Sequence, residues 1–195
     1  MASFSIPAIS FSGVLLAGGR SSRMGTNKAL LPHNGQLLWQ HQYELLNACG
    51  ASPISISLRQ PEAWVPTTMR TVIDLDEAGP LGALRAAFLA ANTSHLIVLA
   101  VDLPAVPVAW FEKLCARCEP GVGAIGVHPD GNFEPLAAVY PIALRRTVED
   151  GLRRGQFALQ AMANRGVEIG QLDPVRITAS RAEWFKNWNT PEDVT

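Results

Sequence analysis

Leu96-Ile97-Val98-Leu99-Ala100-Val101, closed by Asp102-Leu103-Pro104, is the stretch on which the fold turns. Apolar residues in an unbroken run suit a strand buried on both faces, as in the middle of a parallel sheet. On its N-terminal side, Pro80 to Ala91 is rich in Ala and Leu and predicts a helix, with Pro80 tolerated in the first turn. Thr71-Val72-Ile73 and Ile54 to Leu58 predict strands, the latter alternating apolar residues with Ser. Leu37 to Cys49 has helical spacing, with Leu38, Tyr43, Leu45 and Leu46 as core positions and Gly50 as the C-cap. Ser12-Gly13-Val14-Leu15-Leu16-Ala17, ending in Gly18-Gly19, predicts another buried strand. On the C-terminal side come a helix over Val108 to Cys118, strands at Gly123 to His128 and Leu136 to Tyr140, and helices at Ile142 to Arg153 and Phe157 to Asn164. The sequence after Gly166 is less regular. Such alternation implies an α/β fold: one doubly wound, mostly parallel sheet with helices on both faces. Residues 1–195 are expected to form one domain, with 1–10 as a flexible N-terminal extension.

Composition removes several classes of function. At 48% hydrophobic and 17% charged residues, the chain has ample material for a core, which excludes intrinsic disorder. Its 16 Lys and Arg balance 17 Asp and Glu, so no overall field grips a nucleic-acid backbone or an anionic membrane. No Lys or Arg precedes Arg20 and Pro7 interrupts the first apolar run, which argues against a secretory signal. Nor is there a run of about eighteen apolar residues. A cytoplasmic, monomeric protein is the expectation.

In an open parallel sheet, ligands bind beyond the carboxyl ends of the strands. Three polar groups fall there: the loop from Gly18 to Lys28 after the first strand, Asp74 after Ile73, and Asp102 after Val101. Glycines let backbone N–H groups approach an anion, and Arg23 and Lys28 add positive charge, a pattern suited to a polyphosphate. The same loop could equally be a solvated turn. It is not a Walker loop, since Thr26 follows Gly25 where that motif has Lys. Asp102 suits Mg²⁺, which binds one or two carboxylates and completes its shell with phosphates and water. It suits a turn or helix cap just as well. Asp74 has acidic neighbours in Asp76 and Glu77 and could belong to a solvated loop.

Other patterns lead nowhere. Gly121-Val122-Gly123-Ala124-Ile125-Gly126 matches the dinucleotide motif, yet it opens no helix. Cys115 and Cys118 sit toward the C-terminal end of their helix, where the dipole disfavours a thiolate, and Cys49 is far off in sequence. They are read as buried or incidental thiols. His33, His41, His95 and His128 are scattered, and Trp39, Trp110, Trp184 and Trp188 are read as packing residues.

Longer segments carry a resemblance. Leu15-Leu16-Ala17-Gly18-Gly19-Arg20-Ser21-Ser22-Arg23-Met24-Gly25 with Lys28-Ala29-Leu30-Leu31 resembles the nucleotide loop of the molybdenum cofactor guanylyltransferase family. Gly79-Pro80-Leu81, Asp102-Leu103-Pro104, the run Glu134 to Pro141, and the ending Phe185-Lys186-Asn187-Trp188-Asn189-Thr190-Pro191-Glu192-Asp193 follow in the family's order. The similarity runs from about Gly13 to Asp193, and the ending is its most specific part.

The resemblance implies transfer of GMP from GTP to the phosphate of molybdopterin, with release of pyrophosphate. It implies that Leu16, Ala17, Gly18, Gly19 and Asp74 contact the nucleotide. Arg23 and Lys28 would neutralise the triphosphate, Asp102 would bind Mg²⁺ and nucleotide, and Asn187 and Asn189 would hold the pterin side. Lys28, Arg23 and Asp102 would then carry catalysis. GTP and molybdopterin would be the small-molecule partners, with transient contacts to molybdoenzymes or their chaperones. Two positions depart from the family pattern: Asn27 stands where Asp is usual, and Ile56-Ser57-Leu58-Arg59 lacks the Asn often found near the base. The rival readings are a cytidylyltransferase acting on the same pterin, a silent GTP-binding module and a sugar-phosphate nucleotidyltransferase.

Overall fold

An unbroken apolar strand needs a layer of side chains on each of its faces, and the structure supplies both. The computed structural model describes residues 9–18, 27–76 and 78–188. In chain order the strands are β1 (Phe11–Leu16), β2 (Pro32–His33), β3 (Gln36–Leu37), β4 (Ile54–Leu58), β5 (Arg70–Ile73), β6 (His95–Ala100), β7 (Gly123–Val127), β8 (Phe133–Pro141) and β9 (Leu172–Arg176). The helices are α1 (Leu38–Ala48), α2 (Pro80–Ala90), α3 (Val108–Cys115), α4 (Arg145–Arg153) and α5 (Leu159–Glu168).

One seven-stranded sheet has the order β5-β4-β1-β6-β8-β7-β9. Leu15, Ile97, Leu99 and Val139 point to one side, into a cluster with Leu38 and Leu46 of α1 and Trp110 and Phe111 of α3. Val14, Leu96, Val98 and Tyr140 point to the other, against Leu81 and Phe88 of α2, Val148 of α4 and Met162 of α5. Successive residues of one strand thus feed two cores, so the run reads as continuous apolar sequence. Among the described residues no helix is long and apolar enough to cross a membrane.

The sheet is mostly parallel, with one exception. β8 runs antiparallel to both β6 and β7. The connection from β7 to β8 is too short for a crossover: His128 N donates to Asn132 O at 2.7 Å and Gly131 turns at φ 88°. The glycine pattern at Gly121 to Gly126 finds its explanation here. A Cβ on Gly123 would lie 2.2 Å from Val139 O, and one on Gly126 would lie 2.9 Å from the Trp110 ring. Those glycines let β8 and α3 come close.

Three features differ from the sequence reading. β9 lies in the stretch that looked irregular, because Asp173 and Pro174 interrupt its pattern. It is an edge strand, where a residue without an N–H is tolerated. The β2–β3 hairpin turns through Asn34 (φ 48°) and Gly35 (φ 82°), the residue pair that such two-residue turns favour. Residues 9 and 10 belong to the folded body rather than to the expected extension: Ile9 packs on the core, and Ser10 O accepts from His95 N at 3.0 Å.

Trp110 ties the layers together. It is 1% exposed, and its Nε1 donates to Ala137 O on β8 at 2.9 Å. Trp110→Ala is expected to cost about 3–5 kcal/mol through the cavity it leaves. A urea unfolding curve checks this; a loss under about 1 kcal/mol would show that α3 is not packed as described.

Candidate functional site

The backbone ladder continues past the strand ends and lines up the loops that follow them. Ala17 N donates to Ser57 O at 3.0 Å, Val101 N to Leu16 O at 3.0 Å, and Asp74 N to Leu58 O at 2.8 Å. Gly18, Arg59, Asp74 and Asp102 therefore leave the sheet at one edge. Between them and the start of α2 lies a cleft of about 410 Å³. Its walls include Leu16, Ala17, Gly18, Lys28, Asp74 and Asp102. The structure thus brings six of the expected site residues to one cavity. Gly19, Arg23 and Asn189 lie outside the described residues. Asn187 is exposed, within the segment that ends beside Asp102.

Lys28 is set by its own turn. Residues Lys28–Leu30 form a short 3-10 helix, anchored by the buried Ala29. Asn27 caps it, its Oδ1 accepting from Ala29 N at 3.0 Å. The unusual Asn27 thus keeps the local bond a carboxylate would make, without the charge. The Lys28 ammonium faces Asp102 instead, Nζ to Oδ2 3.4 Å, with side-chain exposures of 18% and 22%. Asp102 is held from behind, where its carbonyl accepts from Trp188 N at 2.9 Å.

Asp74 is 8% exposed, and its Oδ1 accepts from Asp76 N at 3.1 Å. α2 approaches it so closely that a Cβ on Gly82 would lie 2.6 Å from that oxygen. Gly18 is confined to a lesser degree: a Cβ there would lie 3.3 Å from Arg59 N. Arg59 Nε donates to Gly18 O at 3.0 Å, steadying the start of the glycine loop. Arg59 follows β4 just as Asp74 follows β5, so the strand-end rule that found the aspartates could have found it. The Ser57 hydroxyl lines the cleft, is buried, and has no hydrogen-bond partner among the described residues.

Glu134 had a place in the motif but no assigned role. Burial holds its carboxyl above the ordinary glutamate range; His128 opposes this, and the charge of Asp102 adds to it. His128 Nε2 lies 3.2 Å from Glu134 Oε2. The cysteines behave as the sequence suggested. Burial pushes Cys49 and Cys118 up to about 12 and Cys115 up to about 11, far from a reactive thiolate.

The arrangement pairs a cation with a carboxylate in a mostly apolar cleft, next to backbone that a ligand can approach closely. Asp102 offers the hard oxygen that Mg²⁺ prefers, so the site fits such an ion. Among the described residues no group of three or more His, Cys, Asp or Glu could hold a metal. An ion at Asp102 would take most of its remaining oxygens from ligand phosphates and water.

Residues 13–168 match the family described as the MobA-like NTP transferase domain. The chain is 40% identical to the probable molybdenum cofactor guanylyltransferase of Opitutus terrae, over 95% of this chain and 94% of that protein. It is 34% identical to the molybdenum cofactor guanylyltransferase of Xanthomonas euvesicatoria, over 93% and 91%. In fold it is similar to the molybdopterin-guanine dinucleotide biosynthesis protein A of Archaeoglobus fulgidus, with a TM-score of 0.70, 21% identity and 94% of each chain covered.

Lys28→Ala is expected to change unfolding free energy by no more than about 1 kcal/mol, because the pair is partly exposed at the cleft and its attraction is weakened by solvent. Chemical denaturation checks this, and a loss of several kcal/mol would mean that the pair holds the fold rather than a ligand.

Proposed function

The chain belongs to the MobA-like NTP transferase family and is a nucleotidyltransferase, and on that premise we propose that it transfers GMP from GTP to the phosphate of molybdopterin in the cytoplasm. The observation that carries the reading is the Lys28–Asp102 pair, 3.4 Å apart at the mouth of the cleft. The guanine preference rests on the names of the relatives, and the phosphate chemistry rests on the pair.

In the proposed step an oxygen of the molybdopterin phosphate attacks the α-phosphorus of GTP. The bond from that phosphorus to the bridging oxygen breaks, and pyrophosphate leaves with the electron pair. A phosphate monoester is largely ionised at pH 7, so the nucleophile needs no strong base. What resists reaction is the approach of two anions and the charge growing on pyrophosphate, so positioning and electrostatics dominate. Leu16, Ala17 and Gly18 hold the nucleotide at the sheet edge, joined by Gly19. Asp74 contacts it within the cleft, where the buried Ser57 hydroxyl, without a hydrogen-bond partner among the described residues, adds a polar group. Lys28 places its ammonium against the triphosphate, and Arg23 adds a second cation from the glycine loop. Asp102 would hold Mg²⁺, which neutralises phosphate charge when bound. Asn187 and Asn189 hold the pterin side.

GTP with Mg²⁺ is expected to raise the melting temperature more than CTP does, because a ligand bound only by the folded state stabilises it. Greater protection by CTP would move the reading to cytidylyl transfer. Protection by GTP without pyrophosphate release, when molybdopterin is supplied, would leave a nucleotide-binding module.

Asp102→Asn keeps the size and turn-forming capacity of the residue but removes the charge that a hard cation needs. A near-normal melting curve is expected, with turnover reduced at least about a hundredfold. Assays of pyrophosphate release decide, and full activity would remove Asp102 from the mechanism.

A further inference from the structure

An excess of positive charge lies on α4, α5 and the loop that joins them. From Arg145 to Ile169 the chain carries five arginines and three carboxylates. All three carboxylates are taken: Arg145 pairs with Glu149 at 3.5 Å, Arg153 with Asp150, and Arg165 with Glu168 at 2.7 Å. Arg146 and Arg154 are left with no ion pair among the described residues. Asp150 stands four positions from each of them, the spacing at which helical pairs form, yet Arg153 holds it. Arg146 and Arg154 are both exposed, and both line one cleft of about 600 Å³. Arg165 joins them there from α5. Among its described lining residues three arginines thus stand against one carboxylate, Asp150, which leaves two positive charges.

The turn that ends α4 is tightly bonded and fixes part of this lining. Arg154 N donates to Asp150 O at 3.2 Å, Gly155 N to Leu152 O at 3.1 Å, and Gln156 N to Gly151 O at 2.9 Å. Gly155 supplies the positive φ of 69° that the turn requires. Gly151 lets it close, since a Cβ there would lie 3.2 Å from Gln156 O and 3.7 Å from Leu81 Cδ2. The rest of the wall is apolar. Leu81 of α2 and Met162 of α5 are buried, and Ile169 is 39% exposed. A guanidinium fork matches the oxygens of a phosphate or a carboxylate. A phosphomonoester carries about 1.5–2 negative charges at pH 7, so it balances the two spare arginines better than one carboxylate does. A volume between about 300 and 1,000 Å³ is what a small molecule fills, and the apolar wall suits a ligand with an apolar part.

We propose that the cleft between α4 and α5 is a second anion site, which takes a small organic phosphate through Arg146 and Arg154. It shares no lining residue with the nucleotide cleft. α2 stands between the two, with Pro80 and Ala83 lining the first and Leu81 the second. The second site therefore does not depend on guanylyl transfer, and the two can fail separately.

The experiment is calorimetric titration of phenyl phosphate into wild type, the double variant Arg146→Gln with Arg154→Gln, and Lys28→Ala. Wild type is expected to bind it saturably. The double variant should weaken binding at least about tenfold, the loss of one hydrogen bond to a charged group. Lys28→Ala, which alters the other cleft, should stay within about twofold of wild type. Inorganic phosphate should bind wild type at least about threefold more weakly than phenyl phosphate, because it leaves the apolar wall uncovered. If the double variant fails to fold, judged by its thermal melt, Arg154→Gln alone decides, with a loss of at least about threefold expected. No saturable binding to wild type, equal affinity in the double variant, or a loss confined to Lys28→Ala would overturn the second site. Equal binding of inorganic phosphate would overturn the organic part of the ligand. Binding of poly-glutamate in place of phenyl phosphate would make this face a contact for an acidic protein and overturn the phosphate pocket.

Discussion

The parallel register that sets Leu16 opposite both Ser57 and Ala100 is the constraint from which the rest follows. It places the carboxyl ends of β4, β1 and β6 on one line, and the continuing hydrogen bonds at Ala17, Asp74 and Val101 carry that alignment into the loops. A side chain leaving such an edge starts from backbone already fixed by the sheet. Small residues then decide how close the elements come. Gly18 admits the backbone after β4, and Gly82 admits the Asp74 carboxylate against α2. The cleft owes its shape to these clearances more than to any large side chain.

The charges at the site contribute little to stability. Lys28 and Asp102 are partly exposed, and a pair of that kind is worth at most about 1 kcal/mol. Their separation of 3.4 Å is instead a ready arrangement for an anionic ligand and the cation it brings, since neither group has to be drawn out of the core. Asn27 supports this by capping the turn without adding a carboxylate that would compete for Lys28.

Segment 185–188 is anchored through the hydrophobic core. Phe185 stands edge-on to Trp110 at 5.0 Å and to His128 at 5.6 Å, and His128 in turn faces Glu134 at the start of β8. Segment 185–188 is therefore pinned at one end to the second half of the sheet and at the other to the Asp102 carbonyl. The antiparallel β8 makes this possible. Its direction brings Glu134 and Leu136 back toward the carboxyl end of β6, where a parallel strand would have delivered its opposite end.

By itself the sequence determined the class of fold and named six of the residues that line the candidate cleft. Unbroken apolar runs at Leu15–Leu16 and Leu96–Val101 can be buried only on both faces, and the polar residues that end them had to gather at one edge. That reasoning, with the motif resemblance, named Leu16, Ala17, Gly18, Lys28, Asp74 and Asp102, which the fold brings to one cleft. It did not reach β9, because Pro174 hides an edge strand, or the direction of β8, because a buried strand looks the same in either sense. Only the tertiary structure decided that Lys28 faces Asp102 across 74 residues, that Arg59 steadies Gly18, and that His33 meets Trp188. These contacts join residues far apart along the chain, and periodicity carries no information about which distant side chains share one end of a sheet.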